Sequence, residues 1–251
     1  MSDYNQTYHS EIEETASESA FHVIRILNSM FKPKSIVDVG CGRGTWLNAW
    51  KQSGVEDILG IDGGHQDQTR LLISKEYFRE FDLNKALVLD RKFELASCLE
   101  VVEHLDKNSS ETIVQSLINL SDIIVFSAAV PKQGGFKHIN EQWPSYWAKK
   151  FETQGFVFLD ALRWKLLNEE KVAWWYRQNL FIVIKKELYE RSYSHLLVYN
   201  PEFYLMHKFV YKASTSFTYK IYFFVQQFLY NNFHSFYHKI LPTFRKMFKS
   251  K

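Results

Sequence analysis

The run Val37-Asp-Val-Gly-Cys-Gly-Arg-Gly-Thr-Trp-Leu47 limits the choice of fold more than any other part of this 251-residue chain. A short β-branched segment, Ser35 to Val39, passes directly into glycines at 40, 42 and 44, the mark of a buried parallel strand entering a tight turn. Glycine lets the main chain bend sharply and lets a ligand approach where any Cβ would collide. The dinucleotide fingerprint Gly-x-Gly-x-x-Gly would put its third glycine at position 45, which here is Thr45. Asp38 places a carboxylate where it would repel a pyrophosphate and favour a cationic ligand. The plain alternative is a strand-helix turn that holds no ligand.

The rest of the chain supports an alternating α/β reading. A helix is expected from about Thr15 to Phe31, stopped by Lys32-Pro33. Further strand candidates are Ile58 to Ile61, Tyr77 to Phe81, Leu95 to Leu99, Ile123 to Ser127, Val157 to Asp160 and Leu180 to Ile184. Helical stretches fall between most of them, notably Thr45 to Gln52, Ser110 to Leu120 and Ser145 to Thr153. Repeated strand-helix-strand units predict a parallel sheet with helices on both faces and a ligand at the carboxyl ends of the strands. The apolar fraction of 46% and charged fraction of 24% are those of a folded globular protein. Only Cys41 and Cys98 are present and no leader pattern opens the chain, so a cytoplasmic setting is expected. No apolar run is long enough for a transmembrane helix.

Two more acids fall at the same sheet edge. Asp62 closes the second strand, where a carboxylate can accept both ribose hydroxyls of an adenosine; Asp82 and the backbone of Leu83 follow the third strand and can meet adenine. Either aspartate can equally be a loop cap. Val37 to Leu47, Gly60-Ile-Asp62, Phe81-Asp82 and Leu99-Glu-Val-Val-Glu-His-Leu105 together resemble the successive motifs of class I S-adenosylmethionine-dependent methyltransferases, over roughly residues 20 to 185. The resemblance implies a Rossmann-like, doubly wound, seven-stranded sheet whose last strand, Leu180 to Ile184, is antiparallel. It also implies S-adenosylmethionine as cofactor. Its contacts would come from Gly40, Gly42, Asp62, Asp82 and the segment Cys98 to Glu100, with Asp38, Gly44 and Leu83 beside them.

Glu100, Glu103 and His104 form Glu-x-x-Glu-His after the fourth strand. If a helical turn begins there, the three share one face and offer a metal site or a base; a solvated helix start is the alternative. Pro131-Lys-Gln-Gly-Gly-Phe-Lys-His-Ile-Asn-Glu-Gln-Trp143 follows the fifth strand and adds His138, Asn140 and Glu141 on a glycine-hinged loop. Glu100, Glu103, His104 and His138 resemble the ligand set of the magnesium-dependent small-RNA 2'-O-methyltransferases. A divalent cation, Mg or Mn, is the corresponding expectation, with Fe and a structural Zn as the alternatives that mixed nitrogen and oxygen ligands leave open. Without a metal, His138 is the candidate general base, supported by His104 and Glu103. The two roles of His138 exclude each other.

Lys132, Asn140, Glu141, Trp143, Tyr146 and Trp147 are candidate substrate contacts, with the aromatic trio forming either a pocket wall or a packed helix face. Trp164, Trp174 and Trp175 are candidates for the same cavity. The loop also resembles methyltransferases of bacterial capsule and surface-polysaccharide gene clusters, which implies a sugar, sugar nucleotide or phosphoramidate-type precursor as acceptor. A nicotinamide oxidoreductase and a non-catalytic binding protein on a methyltransferase fold are the competing classes.

Charge divides the chain. From Lys186 to Lys251 there are 10 Lys+Arg and 3 Asp+Glu, and residues 203–251 hold 16 Phe or Tyr and no acid, against a net charge of +3 for the whole chain. A methyltransferase domain over 1–200 and a helical, basic, aromatic-rich extension over 201–251 are therefore expected. The extension has three readings: packing on the catalytic domain or a second subunit, resting on an anionic membrane face, or stacking on single-stranded nucleic acid. The net negative charge of the remaining chain disfavours nucleic acid.

Overall fold

In the computed structural model the description covers residues 3–64 and 68–201, with side chains from Thr15 onward. Beyond Pro201 the expected extension, with its packing, membrane and nucleic-acid readings, lies outside the described residues.

Seven strands form one sheet: β1 (Ser35–Val39), β2 (Asp57–Asp62), β3 (Phe78–Glu80), β4 (Leu95–Leu99), β5 (Ile123–Ser127), β6 (Phe156–Leu159) and β7 (Phe181–Lys185). Their spatial order is β3-β2-β1-β4-β5-β7-β6. The first five pair in parallel, and β7 runs antiparallel between β5 and β6. The expected antiparallel last strand is thus present. Side chains alternate across the sheet with the strand period of two. Ile36, Leu95 and Val125 enter one core, while Val37, Ala96 and Ile124 enter the other. Every residue of β4 and β5 is buried, as a sheet covered on both faces requires.

The covering helices are α1 (Asp3–Met30), α2 (Thr45–Gln52), α3 (Ser110–Leu120) and α4 (Pro144–Thr153). Two short helices, α5 (Arg163–Leu166) and α6 (Trp174–Asn179), fill the connection from β6 to β7. Proline at the first turn of α4 sits where its missing N–H leaves no orphan. In α3, Ile113, Val114, Leu117 and Ile118 repeat at helical spacing and are buried. Ser19 of α1 accepts the Ala173 N–H at 2.9 Å, tying the first helix to the segment before α6.

β6 ends at Leu159, one residue before the expected limit, because Asp160 turns inward to hold Arg163. Arg163 Nε and Nη2 donate to the two carboxylate oxygens at 2.8 and 2.5 Å, and Arg163 is 1% exposed. Parallel strands β1, β4 and β5 all deliver their carboxyl ends to one edge. Gly40, Glu100 and Ala128 follow them there.

Candidate active site

Gly40, Gly42 and Gly44 have φ of 83°, 56° and 85°, a region L side chains rarely adopt. The neighbours of two of them differ in kind. A Cβ on Gly40 would come within 2.2 Å of Val101, so this glycine lets the segment after β4 close on the turn. A Cβ on Gly42 would meet nothing within 4 Å. The turns at Gly54 and Gly155 are equally open, so what sets Gly42 apart is the Asp62 carboxylate beside it. Asp62 accepts the Gly42 N–H at 2.6 Å and the Gly63 N–H at 2.7 Å, so its carboxylate is fixed at the mouth of the turn. A cavity of about 460 Å³ continues along Gly63, Gly64, Glu80, Phe81, Asp82 and Lys85.

Asp82 is exposed, accepts the Asn84 N–H at 3.1 Å and pairs with Lys85 at 3.3 Å; Leu83 is buried. These interactions, led by the Asn84 amide, hold its carboxyl below the usual carboxylate range. Asp38 faces β4 in register with Ser97, whose hydroxyl donates to it at 2.6 Å. Burial, opposed by the Ser97 hydrogen bond and reinforced by nearby Asp62, pushes the Asp38 pKa up to about 7. Asp38 is therefore not a permanent charge at neutral pH, which corrects the expectation that its carboxylate faces and attracts a cationic ligand. Cys98 is fully buried in the core, its thiol held protonated first by that burial. A ligand beside this position meets the main chain and not the sulfur.

The Glu-x-x-Glu-His segment differs from the single helical face expected. Its turn is a 3-10 helix over Val102–His104 and does not include Glu100. Glu100 has φ 55°, its N–H donates to the Ser127 carbonyl and hydroxyl, and its carboxylate accepts from Asn179 Nδ2 at 3.1 Å. Glu103, His104 and His138 instead converge, with one ligand atom from each lying within 4.8 Å of the others. The His104 and His138 rings meet edge to face at 4.8 Å.

Glu103 is completely buried, and neither carboxylate oxygen makes a hydrogen bond of good geometry, although the main-chain N–H groups of Glu103 and Ala129 lie close enough to oppose the effect of burial. Burial first, then the charge of Glu100, raises its pKa well above the usual carboxylate value. Its main-chain carbonyl accepts the N–H groups of Ile139 at 2.8 Å and Asn140 at 3.0 Å, which fastens the loop after β5 to this turn. Asn140 is 3% exposed and donates to the Val102 carbonyl, so it is a loop anchor with little surface for a substrate. Glu141 meets His138 Nδ1 at 3.0 Å.

Among the aromatic candidates, Trp147 is 1% exposed and packs on Phe126, because α4 turns this face to the core. It is not a pocket wall. Tyr146 is half-buried beside it, whereas Trp143 is 42% exposed and Trp164 51% exposed. Trp174 and Trp175 are partly buried on α6. Lys132 is exposed, with φ 72°. Ser97, Ser127 and Asn179 escaped the sequence reading, since single polar residues carry no spacing signal.

A family model described as a methyltransferase domain matches residues 13–176, and the chain belongs to that family. Comparison with curated proteins gives no match. Among the solved structures that share the fold, three illustrate it. DesVI of Streptomyces venezuelae has a TM-score of 0.53 and 14% identity, covering 72% of this chain and 96% of that one. CalS10, an amino pentose methyltransferase from Micromonospora echinaspora, has a TM-score of 0.51 and 13% identity, covering 74% and 97%. A SAM-dependent methyltransferase from Archaeoglobus fulgidus has a TM-score of 0.50 and 16% identity, covering 73% and 100%. Family and strand order agree: this is an S-adenosylmethionine-dependent methyltransferase of class I fold.

Proposed function

We propose that the chain methylates a hydroxyl of a small polar acceptor, a sugar, sugar nucleotide or phosphoramidate-type capsule precursor, with His138 as general base. The observation that carries this is the meeting of His138, His104 and Glu103 on the segment that Val101 packs against the glycine turn. The cradle fits the cofactor: open space at Gly42, a fixed carboxylate at Asp62 and the cavity toward Asp82 and Leu83. S-adenosylmethionine, when bound, supplies a methyl group on a positively charged sulfur. Gly40, Gly42, Gly44, Asp62 and the main chain from Cys98 to Glu100 hold and orient it, with Asp38 beneath the turn.

The protein's remaining task is to align an acceptor oxygen and remove its proton. His138 takes that proton at a ring nitrogen, a service typically giving about 10²- to 10⁴-fold. Lys132, Glu141, Trp143 and Tyr146 come from the adjoining loop and helix start, and the loop's resemblance to capsule-cluster enzymes supports the acceptor class. A screen of nucleotide-activated sugars and phosphoramidates for S-adenosylhomocysteine release tests the reading. His138→Asn should lower kcat about 100-fold or more on the best acceptor, the low end of general-base catalysis. Cofactor binding without turnover on any acceptor would favour the binding-protein alternative.

One observation favours a second reading. A buried carboxyl beside two imidazoles is a mixed nitrogen and oxygen donor set that suits Mn or Fe better than Mg. Glu103, His104 and His138 would hold the cation, which would lower the pKa of an acceptor hydroxyl. Glu100, engaged by Asn179, would have to turn to join them. Full activity in chelator, together with a melting temperature unmoved by Mn, excludes it.

We further propose that 201–251 is a compositionally distinct extension that packs on the protein itself or, as the alternative its basic, aromatic composition allows, contacts an anionic membrane face. Equal, negligible co-sedimentation of the full chain and the 1–200 fragment with anionic liposomes would refute the membrane alternative.

A further inference from the structure

The geometry points to Glu141 and Gly135 as the seat that fixes the His138 ring, with Nδ1 protonated and Nε2 the working atom. This rests on the reading that His138 acts on the acceptor, and it makes both residues positioning residues. His138 Nδ1 lies 3.0 Å from Glu141 Oε1, with the two side chains only 13% and 18% exposed. An ionised carboxylate only accepts hydrogen bonds, so the proton of the neutral imidazole belongs on Nδ1 and the lone pair on Nε2.

Gly135 lies against the face of the ring at its Nε2 end and leaves the in-plane Nε2 lone pair clear. A Cβ at this position would lie 2.2 Å from Nε2 and 2.3 Å from Cε1. Unlike Gly134, with φ 71°, Gly135 does not have a left-handed φ, so it is His138 and not the backbone that excludes a side chain there. The residues after the ring are also tied down, since Ile139 and Asn140 both donate their N–H groups to the Glu103 carbonyl. The ring is therefore set from three directions: a carboxylate at Nδ1, a bare Cα over its face and a fastened chain behind it.

The arrangement serves proton removal with a closed balance. The acceptor O–H proton passes to Nε2 as the oxygen pair forms the new C–O bond, the C–S bond breaks and its pair stays on sulfur. The resulting imidazolium is left hydrogen-bonded to the Glu141 carboxylate.

The test uses the full chain labelled with ¹⁵N-histidine, read by imidazole nitrogen shifts above pH 8, beside steady-state kinetics. The wild type should show His138 as the Nδ1–H tautomer. Glu141→Leu should shift it toward the Nε2–H form and lower kcat about 10- to 100-fold, part of what a general base supplies, with cofactor KM unchanged. Glu141→Gln, which keeps an acceptor oxygen, should restore most of both. Gly135→Ala should lower kcat in the wild type, yet in a His138→Ala background its thermal unfolding should match that of His138→Ala alone. An unchanged tautomer and unchanged kcat in Glu141→Leu overturn the proposal. If His138→Asn stays fully active, the base reading falls instead, and the tautomer shifts still decide the seat. Circular dichroism melts identify any variant that fails to fold, for which the Glu141→Gln spectrum decides.

Discussion

Asp38 shows how far a residue's role depends on what lies beside it. From the sequence it is an acid two positions before a glycine turn; in the fold it is 2% exposed, bonded to Ser97 and near Asp62. Its carboxyl pKa is about 7 when folded, against an ordinary value of 3.8. The native state therefore keeps a proton that the unfolded chain loses, so stability falls as pH rises from about 4 to about 7 and is level above. Asp38→Asn removes this loss and still accepts from Ser97. Ligand-free Asp38→Asn should match wild type near pH 4 and exceed it at pH 8, by a margin on the order of 2–4 kcal/mol at most. Denaturant titration at the two pH values checks it. Glu103, raised in the same direction, leaves part of the slope in place.

Elements with strong periodicity were legible: α2 and α3 begin and end where the sequence placed them, and β4 and β5 match in full. Legibility failed where a tertiary contact overrides local spacing. Nothing in Glu-x-x-Glu-His reveals that Glu100 takes a left-handed φ and bonds to Asn179, 79 positions away, so the face expected over 100–104 is split. Trp143, Tyr146 and Trp147 share a helical spacing, but only the fold decides that Trp147 is the core member. The connection through α5 and α6 is held by a charge pair that periodicity cannot show. Arg163 stacks on Phe181 at 4.5 Å, pairs with Asp160 and donates to the Gln178 carbonyl next to Asn179. Removing one partner strands the other charge in the core. Asp160→Ala should cost about 3–5 kcal/mol, and Asp160→Leu combined with Arg163→Met should recover much of it, as read by urea unfolding.

At the scale of the whole molecule, the sheet's connectivity places the open glycine turn, the Asp62 carboxylate and the histidine cluster at one edge. None of these groups is adjacent in sequence: Gly42 and Asp62 are 20 positions apart, and His138 comes far later. Binding at that edge is thus a test of the fold as a unit, because a ligand that binds only the native state stabilises all of it. S-adenosylhomocysteine at 100 times its Kd should add about 2.7 kcal/mol. For a chain of this size that corresponds to a rise in Tm of roughly 5–10 °C. NAD at the same concentration should leave Tm unchanged, since the third glycine falls one position short of the dinucleotide spacing and the Asp62 carboxylate is fixed at the mouth of the turn. Asp62→Ala removes the acceptor for the Gly42 and Gly63 N–H groups, so at the same ligand concentration most of the shift should vanish. A full shift in Asp62→Ala, or an equal shift with NAD, would move the cofactor away from the turn that the strand order builds.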